Sequence, residues 1–249
     1  MRKLFIALVL CCAASGCATV NHMAIDKTSR SVDVSAKSVL LVSLDLSHLD
    51  NTYYVPRALV VNVETPNAQS KEDRQNFKVD EVGMASTESG HNTYVLRMAL
   101  APGKYQIKGI FGNNGRFPFH GFFFIPLLMD IDVPANSIVY MGRLEAVLRP
   151  RQGGEFRAGS IIPLVDQAVT GVSGGTFDVV VRDAFETDVP MMQSTFPSLT
   201  TTEIKKALLP AFDRQKVQQW WDSDGKNTKP VADTKDAPTD RTGAQTKSQ

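Results

Sequence analysis

The sequence predicts a mainly β fold: an antiparallel β-sandwich with one or two helices packed on it near the C-terminus. Three observations carry that prediction. Apolar and polar residues alternate with a period of two through much of residues 37–185, which puts successive side chains on opposite faces of a strand, one buried and one wet. The alternating runs are short and are separated by Gly, Pro and Asn, a rhythm that suits a sandwich or barrel better than a parallel sheet. Clear helical spacing appears late, after residue 184.

Taken in order, Val39 to Leu46 and Ala58 to Val63 are buried runs, and Phe77 to Val82 alternates with charge. Tyr94, Leu96, Met98 and Leu100 share one face of the next segment. Ala101-Pro102-Gly103 is a turn signal. Beyond it Tyr105, Ile107 and Phe111 face one way and Lys104, Gln106 and Lys108 the other, so the pair reads as a hairpin with one wet face. Gly112-Asn113-Asn114-Gly115 reads as a turn. Within Ser137 to Leu148, Ile138, Tyr140, Leu144, Ala146 and Leu148 alternate against Arg143 and Glu145. Ser160 to Val165 and Thr176 to Arg182 supply two more strands. Phe185 to Phe196 forms a looser helical turn around Pro190, Met191 and Met192. Thr200-x-x-Glu203 has capping-box spacing, and Ile204, Ala207, Leu208, Ala211 and Phe212 recur at helical intervals, so a helix is expected there, ended or kinked by Pro210.

The first residues carry a different signal. Arg2 and Lys3 precede an apolar run from Leu4 to Leu10, followed by small residues. The run is too short to span a bilayer, which takes roughly 20 apolar residues, and its order is that of a secretory signal. It ends in Ala14-Ser15-Gly16-Cys17, which resembles the lipobox of bacterial lipoproteins, with Ala14 where Leu is most frequent. The resemblance implies a diacylglyceryl group on Cys17 and cleavage before it. Ala18 after the cysteine, rather than Asp, implies the outer membrane, on its periplasmic face. The expected organisation is residues 1–16 as lipoprotein signal peptide, 17–36 as a lipidated flexible tether, 37–221 as the β-sandwich domain with its C-terminal helix, and 222–249 as a disordered polar tail rich in Lys, Asp, Thr and Pro.

Composition narrows the function. After cleavage 233 residues remain, enough for one domain with tails. Cys11 and Cys12 leave with the signal, so the core must stabilise the domain without a disulfide. The mature chain has 25 basic residues, once Arg2 and Lys3 are removed, against 26 acidic ones, a balance that excludes an electrostatic nucleic-acid binder.

Leu100 to Tyr105, read Leu-Ala-Pro-Gly-Lys-Tyr, and Val133 to Gly142, read Val-Pro-Ala-Asn-Ser-Ile-Val-Tyr-Met-Gly, look like segments of uncharacterised bacterial lipoproteins with immunoglobulin- or transthyretin-like sandwiches. The resemblance covers about residues 37–185 and implies the fold, with no reaction or catalytic residue to transfer.

Motifs for chemistry are weak. Gly171-Val172-Ser173-Gly174-Gly175 has the letters of a nucleophile elbow, but a strand follows it where the elbow needs a helix. It also resembles the serine-site glycines of chymotrypsin-like proteases without their histidine context. His22, His48, His91 and His120 have no second His or Cys at ligand spacing, so no metal or other cofactor is expected; Asp45 and Asp50 flank His48 as a weak cation candidate. Asp183, Glu186 and Asp188 gather acid near Arg182, with nothing to show that they face each other across a cleft.

The most unusual stretch runs from Phe117 to Met129, where Phe117, Phe119, Phe122, Phe123 and Phe124 fall within eight residues. Three readings compete: core strands, an exposed partner-binding surface, or a segment dipping into the membrane interface. The expected function is a membrane-anchored lipoprotein acting as a non-catalytic binding or structural module of the cell envelope, with a protein partner. The alternatives are a carrier of lipid or another apolar ligand, and an envelope hydrolase.

Overall fold

The computed structural model describes residues 19–51, 53–86, 90–116, 119–160 and 170–223. These form β1 (Thr19–Asn21), β2 (Ser38–His48), β3 (Arg57–Glu64), β4 (Arg74–Lys78), β5 (Met84–Ser86), β6 (His91–Leu100), β7 (Gly103–Arg116), β8 (Phe119–Val133), β9 (Ile138–Pro150), β10 (Gly175–Arg182), α1 (Phe185–Thr195), β11 (Ile204–Lys206) and α2 (Arg214–Ser223). Among the described residues the fold is mainly β, with two sheets and two helices. One sheet has the order β1-β4-β3-β7-β8; the other has β10-β9-β2-β6-β5, with β11 added on β9.

The alternation builds the core. Leu40, Val42, Leu44 and Leu46 of β2, Leu96 and Met98 of β6, and Leu144, Ala146 and Leu148 of β9 meet Val61 and Val63 of β3, Ile107 and Ile110 of β7, and Phe123, Ile125 and Leu127 of β8 in one buried cluster. Burying a side chain of this size stabilises by about 1.5–3 kcal/mol, so the two facing surfaces hold the sheets together. The opposite face of the second sheet is also covered. Val39, Leu41, Val95, Ile138 and Tyr140 pack there against Val189, Met192 and Phe196 of the α1 segment.

Several expectations need correction. The sheets are not purely antiparallel: β2 runs parallel to β9, from Val39 opposite Ile138 to His48 opposite Leu148. These strands are far apart in sequence, so no tight turn fixes their relative direction. Gly103 turns the chain between the sheets, since β6 and β7 lie in different ones. The turn signal is real, but each strand turns its apolar face to the shared core rather than pairing with the other. Gly112 to Gly115 lies inside β7. A Cβ on Gly112 would collide with the Phe123 ring and the Arg57 carbonyl, so the glycine serves close approach rather than a turn.

The helix expected over Thr200 to Phe212 does not form. Ile204, Lys205 and Lys206 pair in parallel with Ile138, Val139 and Tyr140, and the ladder runs on through Ala207 N–H to Tyr140 O and Leu209 N–H to Met141 O. β10 covers β9 only from Arg143 onward. The free backbone groups of Ile138–Met141 therefore take a partner, which outweighs a local helical pattern. The second helix lies later, at Arg214–Ser223. Of the strand expected at Ser160 to Val165, Ser160 is not in a strand and the rest lies outside the described residues.

Within residues 17–36, expected as a lipidated flexible tether, Thr19–Asn21, Ile25, Val32 and Val34 contact the body, while most of residues 26–36 are exposed. β1 pairs with β4, Thr19 opposite Gln75. Ala24 N–H then donates to Arg97 O in the other sheet (2.8 Å), and Ile25 is buried. Arg97 fastens this crossing. Its wholly buried guanidinium donates to Ile25 O, Val95 O and Asp80 Oδ2, each at 2.6 Å, over the Phe196 ring at 4.5 Å. A buried cation is tolerable only when its donors are satisfied, and the N-terminal segment supplies one of the acceptors.

The other open side is closed from the C-terminal half. Phe124 N–H donates to Ala158 O at the β8 edge (2.7 Å), and Ala158 N–H donates to Gly175 O at the β10 edge (2.8 Å). α2 lies over this seam, with Val217 packed against Leu128 and Phe156.

Candidate functional site: the aromatic end of the β7–β8 hairpin

The Phe-rich segment is strand β8, and alternation divides its rings. Phe123 is 1% exposed in the core, Phe122 is 44% exposed and Phe119 41% exposed. Phe124 is half-buried on the outer face. Phe123 is thus a core ring, while Phe119 and Phe122 lie at the surface of the same strand. Phe117 lies outside the described residues.

Register places the neighbours. β7 and β8 pair antiparallel, with Asn113 opposite Phe122 and Phe111 opposite Phe124. On the other side of β7, Arg57 stands opposite Asn113 and Val60 opposite Phe111. Phe111, expected on the core face with Tyr105 and Ile107, is on the outer face. The register shifts between Ile107 and Gly109, so Ile110 enters the core and Phe111 turns out. A lone glycine in a strand is the usual sign of such a bulge, and Gly109 was the available signal.

The rings form a strip. Phe111 and Phe122 stack with centroids 5.7 Å apart and planes 10° apart. Phe124 lies over Gly109, where an added Cβ would come within 2.5 Å of its Cζ, and meets Trp220 of α2 at 6.2 Å. Polar groups occupy the neighbouring rows. Asn113 Oδ1, opposite Phe122, is shielded from solvent without a hydrogen-bond partner, the Arg57 side chain lies beside the Tyr94 hydroxyl, and Asn62 Nδ2 donates to Asn76 Oδ1 at 2.7 Å.

The end of the hairpin is braced by neighbouring loops. Asn114 Nδ2 donates to Thr170 O at 2.7 Å, and Gly121 packs against the Thr170 hydroxyl and Val172. Gly171 sits so close to His48 that a Cβ would come 2.5 Å from Nε2. Leu49 and Tyr53 are exposed in the loop that follows β2.

The other sequence candidates are dispersed. Ser173 lies in the turn entering β10; its carbonyl accepts from Arg157 (2.9 Å), and its hydroxyl makes no hydrogen bond to a histidine among the described residues. His48 Nδ1 accepts from Asp50 N–H (3.2 Å), and burial pushes its pKa down. Asp45 pairs with His91 instead (3.1 Å); His22 and His120 are exposed. Among the described residues no three His, Cys, Asp or Glu side chains group as metal ligands do.

The acidic cluster also separates. Asp188 is buried against the Tyr140 hydroxyl (2.7 Å) and Arg143; burial and that carboxylate together push the Tyr140 pKa well up. Asp183 pairs with Lys206 at 2.8 Å, and Arg182 with Glu145 at 2.7 Å. A broad depression of about 320 Å³ lies beside Asp183, Phe185, Glu186 and Lys206. Between the sheets, Val42, Leu96, Ile107 and Leu127 line a void of about 10 Å³, against roughly 300–1,000 Å³ for ligand pockets.

No helix among the described residues is long and apolar enough to cross a membrane. No protein-family model matches the chain, and neither a curated protein nor a solved structure matches it.

Proposed function

We propose that this protein is a lipid-anchored, non-catalytic binding module of the bacterial envelope, attached through Cys17 to the periplasmic face of the outer membrane, with the aromatic end of the β7–β8 hairpin as its contact surface. The two facing sheets are read as a sandwich of immunoglobulin or transthyretin type, with a parallel β2–β9 pair at the centre of one sheet. One observation carries the functional reading: Phe119 and Phe122 stay exposed in a strand whose intervening Phe123 is buried. Exposed rings at one end of an otherwise well-packed body mark a contact site.

Strand register relates this end to Cys17. Thr19 aligns with Gln75, Val63, Ile107 and Met129 across the sheet. Phe119 lies ten positions from Met129, about 33 Å along the strand. Cys17 is two residues from Thr19, at most about 7 Å of chain. An anchor there and the aromatic end are therefore well separated, which favours a partner over the anchoring bilayer. Lipidation on one cysteine with more than one chain is sufficient for stable attachment.

The test is palmitate labelling and membrane fractionation of wild type and Cys17→Ala, together with a photo-crosslinking residue at position 122. Loss of label and release from the membrane in Cys17→Ala is expected, with crosslinked adducts from position 122. Label retained by Cys17→Ala sinks the anchor; no adduct from position 122 in intact cells sinks the contact surface.

A further inference from the structure

We propose that His48 is a pH-sensitive latch at one end of the sandwich: its neutral ring joins the loop after β2 to the loop before β10, and protonation releases both. The inference does not depend on what the aromatic end contacts. His48 closes β2, aligned with Leu148 of β9, and is half-buried. Its two ring nitrogens meet different loops. Nδ1 accepts the Asp50 N–H at 3.2 Å. A ring nitrogen that accepts carries no proton, so the neutral ring holds its proton on Nε2. Nε2 lies against Gly171, where an added Cβ would come within 2.5 Å of it. Gly171 has φ +77°, so glycine alone meets both the backbone conformation and the close approach. The loop pressed onto the ring also braces the tip of the β7–β8 hairpin. Thr170 O accepts from Asn114 Nδ2 at 2.7 Å, and the Thr170 hydroxyl and Val172 pack against Gly121.

Protonation acts at one atom. A proton on Nδ1 turns the acceptor for the Asp50 N–H into a second donor, so that bond is lost and the ring must turn in its seat. Burial opposes the charge and lowers the His48 pKa, against a smaller opposite pull from the Asp50 carboxylate. The surrounding elements present few other charges. Residues 170–174 carry no ionisable side chain. Arg157 reaches that loop, donating to Ser173 O at 2.9 Å, and stays charged throughout. On β9, Arg149 next to Leu148 is paired with Glu155 and Asp178. Asp45 pairs with His91 of β6 at 3.1 Å, and alternation puts Asp45 on the face of β2 opposite His48. A histidine whose folded pKa is depressed leaves stability intact above its unfolded value of about 6.5 and removes it as pH falls below that. The latch is therefore closed at neutral pH and opens on acidification.

The test is amide hydrogen exchange of the detergent-solubilised full chain at about pH 7.5 and about pH 5, expressed as protection factors so that intrinsic exchange rates cancel. In the wild type, protection of the Asp50 amide and of the Gly175 amide, which donates to Val172 O at 3.3 Å, should fall about threefold or more at the lower pH, while Leu96 in the core is unchanged. His48→Asn keeps an acceptor for the N–H two residues on but cannot be protonated, and should hold equal protection at both pH values. Unchanged wild-type protection, or the same fall in His48→Asn, overturns the proposal. A second readout needs no variant: the pH at which Asp50 loses protection must coincide with the midpoint of the His48 ring followed by NMR, and separate midpoints overturn it equally.

Discussion

The sharpest test of how this fold is held together is Glu155→Gln. Glu155 sits in the loop bridging the β8 and β10 edges and is the hub of a four-residue ion network. Arg149 donates to both its oxygens at 2.8 Å, Arg214 of α2 donates to Oε1 at 2.7 Å, and Gln152 N–H donates to Oε2 at 2.8 Å. Both arginines also reach Asp178 on β10. Bonding to Arg149 above all, then to Gln152 N–H and Arg214, holds the Glu155 carboxyl at about 2 against an ordinary 4.5. That displacement corresponds to at most roughly 3 kcal/mol. The side chain is 23% exposed, and solvent screening brings the expected contribution to roughly 1–2 kcal/mol. At neutral pH Glu155→Gln should lower the melting temperature by about 3–6 °C. The sign of the pH dependence follows from the direction of the shift. A carboxyl whose folded pKa is depressed stabilises fully above its unfolded pKa and loses that contribution as pH falls through the folded value. The gap between wild type and Glu155→Gln should therefore be constant above about pH 5, shrink between 4.5 and 2, and vanish below. Trp220 and Trp221, both on α2, report local loosening when calorimetry is run beside fluorescence. Parallel stability curves for the two proteins down to pH 2, or equal melting temperatures at pH 7, refute the reasoning.

Two further substitutions test other joints. Arg97→Met keeps the length of the side chain but removes the donors to Ile25 O, Val95 O and Asp80; a loss of about 3 kcal/mol is expected, with new protease sensitivity in residues 22–36, and resistance equal to wild type refutes the fastening role. Phe123→Ala should cost about 3–5 kcal/mol in denaturant unfolding, while Phe122→Ala costs under about 1 kcal/mol; comparable losses from both contradict the alternation seen in β8.

Most strands were legible because their alternation reflects burial on one side, as in Tyr94 to Leu100 and Ile138 to Leu148. What period two cannot express is which strand pairs with which. Tyr94–Leu100 and Lys104–Phe111 look the same whether they form a hairpin or face each other across a core, since both arrangements bury the same residues. The same ambiguity hid the parallel β2–β9 pair. Phe111 was misplaced because Gly109 shifts the register by one, which exchanges the faces of all that follows. Ile204 to Phe212 misled for a different reason: its helical spacing is local, and the unpaired edge of Ile138–Met141 that captures it is about 65 residues away. Of the candidate site, Phe119 and Phe122 were within the segment singled out, but Phe111 and Trp220 lie on other elements, and only register or packing brings them near.

The covering of the sheets gives the aromatic strip its meaning. The outer face of the β2–β6–β9 sheet is covered by α1 and Ile25, one open side is crossed by residues 19–25, and the other is sealed by Ala158 and α2. Among the described residues, the part of the outer β8 face that carries Phe119 and Phe122 stays exposed. If stability alone shaped this face, polar residues would serve it equally well, since a solvated strand face needs no phenyl rings. The N-terminal crossing bears on the same point. With Arg97 binding Ile25 to the core, a lipid on Cys17 would hold the body through a packed segment rather than a loose tether, so the orientation of the aromatic end relative to the bilayer would be restricted. A surface held at a defined distance and angle suits a partner that is itself fixed better than one diffusing freely, because less rotational freedom is lost on binding.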